Sequence, residues 1–238
     1  MFDGAVTPII YELTVKADIV CNFNLKNYPF DIQYCSFTFI LDEISSEYVK
    51  LYPKEIAYKG KTKLSEYEIS NLINDSVKIE GYSGLTVTVE FKNMYTYYIT
   101  STYIPTILLV VISYLTFWFE IDDFNDRIMV SLTSLLVLAS LFSQISSGLP
   151  HTSYLKLIDI WFLGCIVSDF IIILSLVIVN RKIGMVNPLK HKTSTFLSNF
   201  DASKMNYASK ISIICIFILF FIIYVISILV LQNQNNYY

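Results

Sequence analysis

Histidine is almost missing from this chain, at two of 238 residues, and cysteine is scarce at four. Neither shows the spacing of a metal-ligand set, and no nucleophile constellation appears. Glycine numbers only seven, with no phosphate-cradling loop among them. The chain is not expected to be an enzyme, and nothing calls for a cofactor. Basic runs interleaved with aromatics are also lacking, and the net charge is a small −3, so nucleic acid is not an expected partner. Met1 to Val6 has neither the basic start nor the apolar core of a secretory signal. There is no internal repeat, and the one biased stretch is the polar tail Gln232–Tyr238.

What is present is apolar and comes in blocks. Hydrophobic residues make up 54% of the chain, and mean hydropathy is +0.53. Four runs of about 20 apolar residues read as membrane-crossing helices, at about 98–119, 127–148, 157–179 and 211–231. Pro105 falls inside the first, where neighbouring helices can satisfy a freed carbonyl, and Trp118 marks its interface. The loop 180–210 carries Arg181, Lys182, Lys190, Lys192, Lys204 and Lys210 against the single acid Asp201, the pattern of a cytoplasmic loop. The loop before the second run opposes this, with Glu120, Asp122, Asp123 and Asp126 beside Arg127, but acids carry little topological weight. Four crossings then put both termini outside.

Residues 1–97 are strand-like. Ile9–Val20 is rich in β-branched residues, Cys35–Leu41 alternates, and Leu85–Lys92 alternates most regularly. Turn signals fall at Tyr28–Pro29, Asn74–Asp75, Gly81 and Gly84. Cys21 and Cys35 bracket Pro29 and Asp31, which reads as a disulfide-closed hairpin loop and requires an oxidising compartment. The alternative is two free thiols in a cytosolic domain. Cys165 and Cys215 lie in apolar runs and read as inert thiols. Asn74-Asp-Ser76 is a glycosylation sequon, usable only outside the cell.

The second apolar run differs from the others. Met129, Thr133, Leu136, Ser140, Ser143 and Ser147 recur at steps of four and three, so they share one helical stripe. A hydroxyl-rich stripe on an apolar helix faces either other helices or water, and spacing alone does not choose between them.

Taken together, the cysteine pair around Tyr28-Pro-Phe-Asp31, the four runs, and Arg127, Leu136 and Pro150 at their mutual spacing resemble the Cys-loop family of pentameric ligand-gated ion channels. The resemblance extends from about Val6 to Leu231. It implies an α+β membrane protein, with a partial extracellular β-sandwich (1–97) followed by a four-helix transmembrane bundle (98–238) in the cell membrane. It implies four further identical or homologous subunits around a shared pore. In that family the second helix lines the pore, and Leu136 would form the gate. Tyr28, Pro29, Phe30 and Asp31 would couple to the loop beginning Pro150-His151, near Lys92. The family usually has an arginine just before the first helix, and here Asn93 takes that place. The extracellular part is about half the family length, so a chain lacking the signal peptide and early strands is expected.

The permeant ion is read from the ring of charges at the start of the second helix, Asp126 and Arg127. The stretches 122–133 and 149–159 are similar to an arthropod subgroup that includes chloride channels opened by alkaline pH or zinc. That resemblance implies chloride, with Arg127 facing the ion path and Asp126 turned away. The competing readings are a cation channel governed by Asp126, and a non-channel four-span structural or adaptor protein. The ligand side offers little: Tyr82 is the one aromatic ring in the hairpin 74–84, and Asp42, Glu43 and Glu47 read mainly as a solvated loop. The agonist class is a small extracellular ligand, a proton or hydroxide, or zinc. His151 is a further pH-responsive candidate.

Overall fold

The computed structural model describes residues 13–53, 55–121, 123–184 and 193–235, with side chains described outside 182–202 and 233–235. The expected strand start Ile9–Glu12, Asp122, Lys190 and Lys192 lie outside these residues, as do the side chains of Lys182 and Asp201. Three strands, β1 (Ile32–Ser45), β2 (Tyr67–Ile79) and β3 (Tyr82–Asn93), form one antiparallel sheet in the order β1-β3-β2. Four helices follow. They are α1 (Thr96–Trp118), α2 (Phe124–Gly148), α3 (Leu157–Gly184) and α4 (Thr193–Asn235), each with a stretch long and apolar enough to cross a membrane. The expected partial β-sandwich followed by a four-helix bundle appears, among the described residues, as a three-stranded sheet followed by four helices long and apolar enough to span a membrane.

The chain divides into two compact units. One comprises residues 1–23, 34–59 and 71–89; the other comprises 24–33, 60–70 and 90–238.

In the first unit, β2 and β3 join through Glu80 (φ 52°) and Gly81 (φ 91°). Two successive positive φ values are what a tight hairpin turn needs to match the strand twist. Asn74–Asp75 and Gly84 were expected as turns, but they lie inside β2 and β3. Gly84 is needed for another reason: a Cβ there would meet the Phe39 carbonyl oxygen at 3.0 Å and Val77 Cγ1 at 3.1 Å. Hydroxyl pairs Ser36–Thr88 (2.8 Å) and Thr38–Thr86 (2.9 Å) link β1 to β3 across their exposed face. Cys21 and Cys35 are disulfide-bonded, with Cα atoms 5.5 Å apart. The described part of the expected first strand, 13–20, has no regular structure.

In the second unit the helices carry the core. α1 is regular only in part. A π-helical turn at Ile99–Tyr103 lies directly ahead of Pro105, which has no N–H to give the preceding turn. A short 3-10 turn, Thr116–Trp118, closes the helix. Trp161, Tyr103, Tyr224, Leu138 and Cys165 form one buried cluster; Phe117, Ile172, Leu176 and Ile213 form another. Trp161 Nε1 donates to Thr106 Oγ1 (2.9 Å), and the Tyr103 and Tyr224 hydroxyls pair at 2.7 Å, so the aromatic core keeps its polar tips satisfied. The loop expected over 180–210 is shorter than anticipated, because α3 runs on to Gly184 and α4 begins at Thr193.

Candidate pore helix and coupling region

Burial separates the helices. Of the most apolar stretch of α3, 39% of residues are buried, against 17% for α2 and 11% for α4. Two helices therefore present most of their surface outward, and the chemistry of those surfaces differs. The outward residues of α4 include Ile214, Ile218, Leu219, Ile222, Ile226 and Leu229, an apolar surface suited to lipid. On α2, Met129, Thr133, Leu136, Ser140, Ser143 and Ser147 are all exposed. Leu136 is 68% exposed within a hydroxyl-bearing stripe. Packing against this chain's own helices does not cover that stripe. Thr133 Oγ1 donates to the carbonyls of Met129 and Val130 (3.0 and 2.8 Å), Ser140 Oγ to Leu136 O (2.9 Å) and Ser147 Oγ to Gln144 O (2.9 Å). The hydroxyl oxygens remain available outward as acceptors.

The opposite face of α2 holds Arg127, Ser131, Ser134 and Leu138, all buried. Arg127 is 1% exposed. Its Nε donates to Thr116 O (3.0 Å) and its Nη2 to Asn206 Oδ1 (2.6 Å), while Asn206 Nδ2 donates to Phe117 O (3.2 Å). The last carbonyls of α1 have no partners within that helix. Arg127 and Asn206 supply them, and a cation suits the negative end of a helix. The guanidinium also lies over the Phe117 ring, 5.9 Å from its centre. Arg127 was expected on the same face of α2 as the Thr133–Leu136–Ser140 stripe; instead its guanidinium is buried against α1 and α4, with two of its five N–H donors on Thr116 O and Asn206 Oδ1. Asp126 is exposed in the first turn of α2.

Within the second unit, the segment 24–33 carries a 3-10 turn, Leu25–Asn27, capped by Asn24 Oδ1 accepting from Lys26 N (3.3 Å). Leu25 N donates to the Tyr154 hydroxyl (3.0 Å), Ile158 N to Tyr28 O (3.2 Å), and Lys26 Nζ lies 5.7 Å from the Tyr154 ring centre. The segment after α2 thus touches the segment around Tyr28. Its own shape is fixed by the buried Lys156, whose Nζ donates to Pro150 O (3.0 Å). Pro150 and His151 are exposed. The Tyr28–Pro29 peptide is cis, and Phe30 packs against Tyr95 and Tyr103 with ring centres 5.3 and 5.9 Å apart.

Asp31 is 2% exposed and is held by neutral donors. Asn93 Nδ2 donates to Oδ1 (2.8 Å), while Gln33 Nε2 and the Tyr67 hydroxyl (3.4 Å) donate to Oδ2. Asn93, which takes the place of the family's usual arginine, is thus one partner of Asp31, and Gln33 and Tyr67 complete the set. Neither had a sequence signal, since both are separated from Asn93 by strand rather than by motif. Lys92 is exposed. Burial pushes the Tyr28 phenol well above the ordinary tyrosine range, helped by its hydrogen bond with Tyr98. Burial, then the negative charge of Asp31, pushes the Tyr67 phenol up as well.

On the ligand side, Tyr82 is half-buried at the start of β3. It does not line the open depression of about 340 Å³ bounded by Ser46, Glu47, Lys50, Tyr52, Lys78 and Ser83. Among the described residues no three His, Cys, Asp or Glu side chains converge as a metal site, so Asp42, Glu43 and Glu47 do not form one.

Residues 102–212 match the family model described as the neurotransmitter-gated ion-channel transmembrane region. The chain is 33% identical over 175 residues to the serotonin-gated chloride channel mod-1 of Caenorhabditis elegans, covering 70% of this chain and 35% of that protein. It is 28% identical over 180 residues to a glutamate-gated chloride channel of Drosophila melanogaster, covering 72% and 39%. It is 29% identical over 179 residues to pH-sensitive chloride channel 2 of Anopheles gambiae, covering 68% and 28%. The chain spans about a third of the length of the curated relatives it matches. These matches support the ligand-gated ion-channel family.

Proposed function

We propose that this chain is one subunit of a pentameric ligand-gated chloride channel, with α2 lining the pore and Leu136 forming its gate. The observation that carries this reading is the contrast between the two outward helices. α4 turns aliphatic residues outward, while α2 turns out Thr133, Ser140, Ser143 and Ser147 around Leu136. Hydroxyls facing hydrocarbon leave their acceptors unsatisfied, whereas hydroxyls facing a water-filled axis do not. A ring of five leucines at Leu136 closes such an axis by dewetting. Chloride is carried over from the relatives, each named as a chloride channel.

Residues 1–97 would then be extracellular and 98–238 the membrane part, with both termini outside and the loop between α3 and α4 in the cytoplasm. Asn74 would carry glycan, and a mobility shift on enzymatic deglycosylation tests that side. Tyr28, Pro29, Phe30 and Asp31 would pass agonist binding to Pro150 and His151, a role supported by the Leu25–Tyr154 and Tyr28–Ile158 hydrogen bonds. The agonist would be a small extracellular ligand, a proton or hydroxide, or zinc. The Anopheles relative, named as pH-sensitive, supports the arthropod subgroup.

A cation-selective reading has one observation in its favour. Asp126 lies three residues before Met129, in phase with the exposed stripe, while Arg127 is in phase with the buried face. Reversal potentials on diluting external NaCl decide between them. A shift following chloride in wild type and in Asp126→Ala supports chloride. A wild-type shift following sodium, converted toward chloride by Asp126→Ala, overturns it in favour of cations.

A further inference from the structure

We propose that Asp169 of α3, with Ser113 of α1 and Ser134 of α2, forms a proton-binding site inside the helical unit, separate from the exposed face of α2. Asp169 and Ser113 are 0% exposed and Ser134 is 3% exposed. Both serines neighbour the Asp169 carboxyl, as does Cys165. Neither carboxyl oxygen has a hydrogen-bond partner, nor does Ser113 Oγ. Three unpartnered polar atoms, all buried, therefore occupy one place where three helices meet.

The donors decide what belongs there. The Ser134 hydroxyl hydrogen is spent on Leu109 O (2.9 Å), so Ser134 offers Asp169 lone pairs only. Ser113 has one unspent hydroxyl hydrogen to give, so a carboxylate here has one donor for its two oxygens and still faces the lone pairs of Ser134. A carboxylic acid has one O–H to give. Proton uptake from water turns the carboxylate into that acid, and its O–H donates to Ser113 Oγ or Ser134 Oγ. One proton thereby partners groups on two helices at once and removes an isolated charge from the bundle.

The surroundings offer no competing counter-charge. From α4, the residues beside neighbouring Ser168 are Ile213, Ile214 and Phe217. On α1, the Tyr114 hydroxyl already donates to Lys210 O (3.3 Å). On α3 itself, Cys165 is the titratable neighbour one turn back. On the buried face of α2, Arg127 is about 10 Å of helix rise from Ser134, and its hydrogen bonds go to Thr116 O and Asn206 Oδ1. Ser134 belongs to the helix proposed to line the pore, so gain or loss of this proton acts on the back of that helix. That consequence rests on the channel reading; the site itself does not.

The test is infrared difference spectroscopy on the full chain in lipid bilayers, wild type minus Asp169→Asn, an isostere that keeps a donor. A carboxylic-acid C=O band at neutral pH, lost as pH is raised, is expected in wild type. Ser113→Ala and Ser134→Ala should shift that band by weakening its hydrogen bond, while Ser168→Ala, whose hydroxyl bonds Gly164 O, should leave it in place. Absence of the band in wild type, or indifference of the band to both serine variants, overturns the site. If Asp169→Asn does not fold, the wild-type pH titration and the serine variants still decide. In a conducting preparation, alkaline pH should change wild-type current and leave Asp169→Asn unmoved. If wild type passes no agonist-evoked current at any pH, the channel reading fails, while the infrared band still decides the proton site.

Discussion

Removing Arg127 should damage the fold of the helical unit and leave ion selectivity alone. The guanidinium makes two charge-assisted hydrogen bonds, to Thr116 O at 3.0 Å and Asn206 Oδ1 at 2.6 Å. Bonds of this kind contribute about 1.5–3 kcal/mol each. Part of that is offset in Arg127→Met, because burying the cation costs several kcal/mol of desolvation and methionine escapes it. A net loss on the order of 2–3 kcal/mol is expected for Arg127→Met. Asn206→Leu should be worse, at about 3–5 kcal/mol, since it strands the buried guanidinium and frees Phe117 O as well. The double variant should cost clearly less than the sum, because once the cation is gone its partner has less to lose. Thermal melting of the purified chain in detergent measures all three, and reversal potentials in cells give the second readout. Additive losses, or an Arg127→Met channel that folds normally with an altered reversal potential, would refute the buried role and return the guanidinium to the ion path.

The disulfide should be present at the cell surface by non-reducing peptide mapping, and Cys35→Ser should cost roughly 3 kcal/mol from opening the loop and lower surface expression. Leu136→Thr should wet the constriction and raise spontaneous current or agonist sensitivity; a pure loss of expression would instead make Leu136 a packing residue between subunits. Tyr28 and Tyr67 titrate above their unfolded value of about 10, so the stability they contribute is complete below that pH and is lost as pH rises beyond it. Alkaline unfolding followed by circular dichroism should therefore be shallower in Tyr28→Phe than in wild type, and equal slopes would count against that origin.

Helices were legible because a membrane span must be long and apolar throughout, which leaves little room for misreading. The α2 stripe was legible from its steps of three and four. The same arithmetic continued backwards would have found the fault at Arg127. Position 126 is in phase with Met129, whereas 127 is in phase with Ser131, Ser134 and Leu138. The strands were harder. Asn74–Asp75 carries turn chemistry, but Glu80–Gly81 supplies the two positive φ values, and the hairpin turns there. Gly84 marks a close backbone approach, which local sequence does not distinguish from a turn. For 13–20, β-branched composition supplied half of a strand; the other half is a partner to pair with. Gln33 and Tyr67 around Asp31 were invisible because that grouping exists only after folding.

The clip formed by Arg127 and Asn206 has a bearing on how the chain is made. Asn206 lies on α4, which leaves the ribosome after α1, α2 and α3, while Arg127 and the α1 carbonyls it serves arrive earlier. Until α4 is inserted, the bundle holds a guanidinium with half its partners, in a solvent where unpaired charge is expensive. The third helix can be complete and the helical unit still be unfinished. Closure of this one contact waits for α4, so packing of the fourth span against α1 and α2 completes the partners of a buried cation.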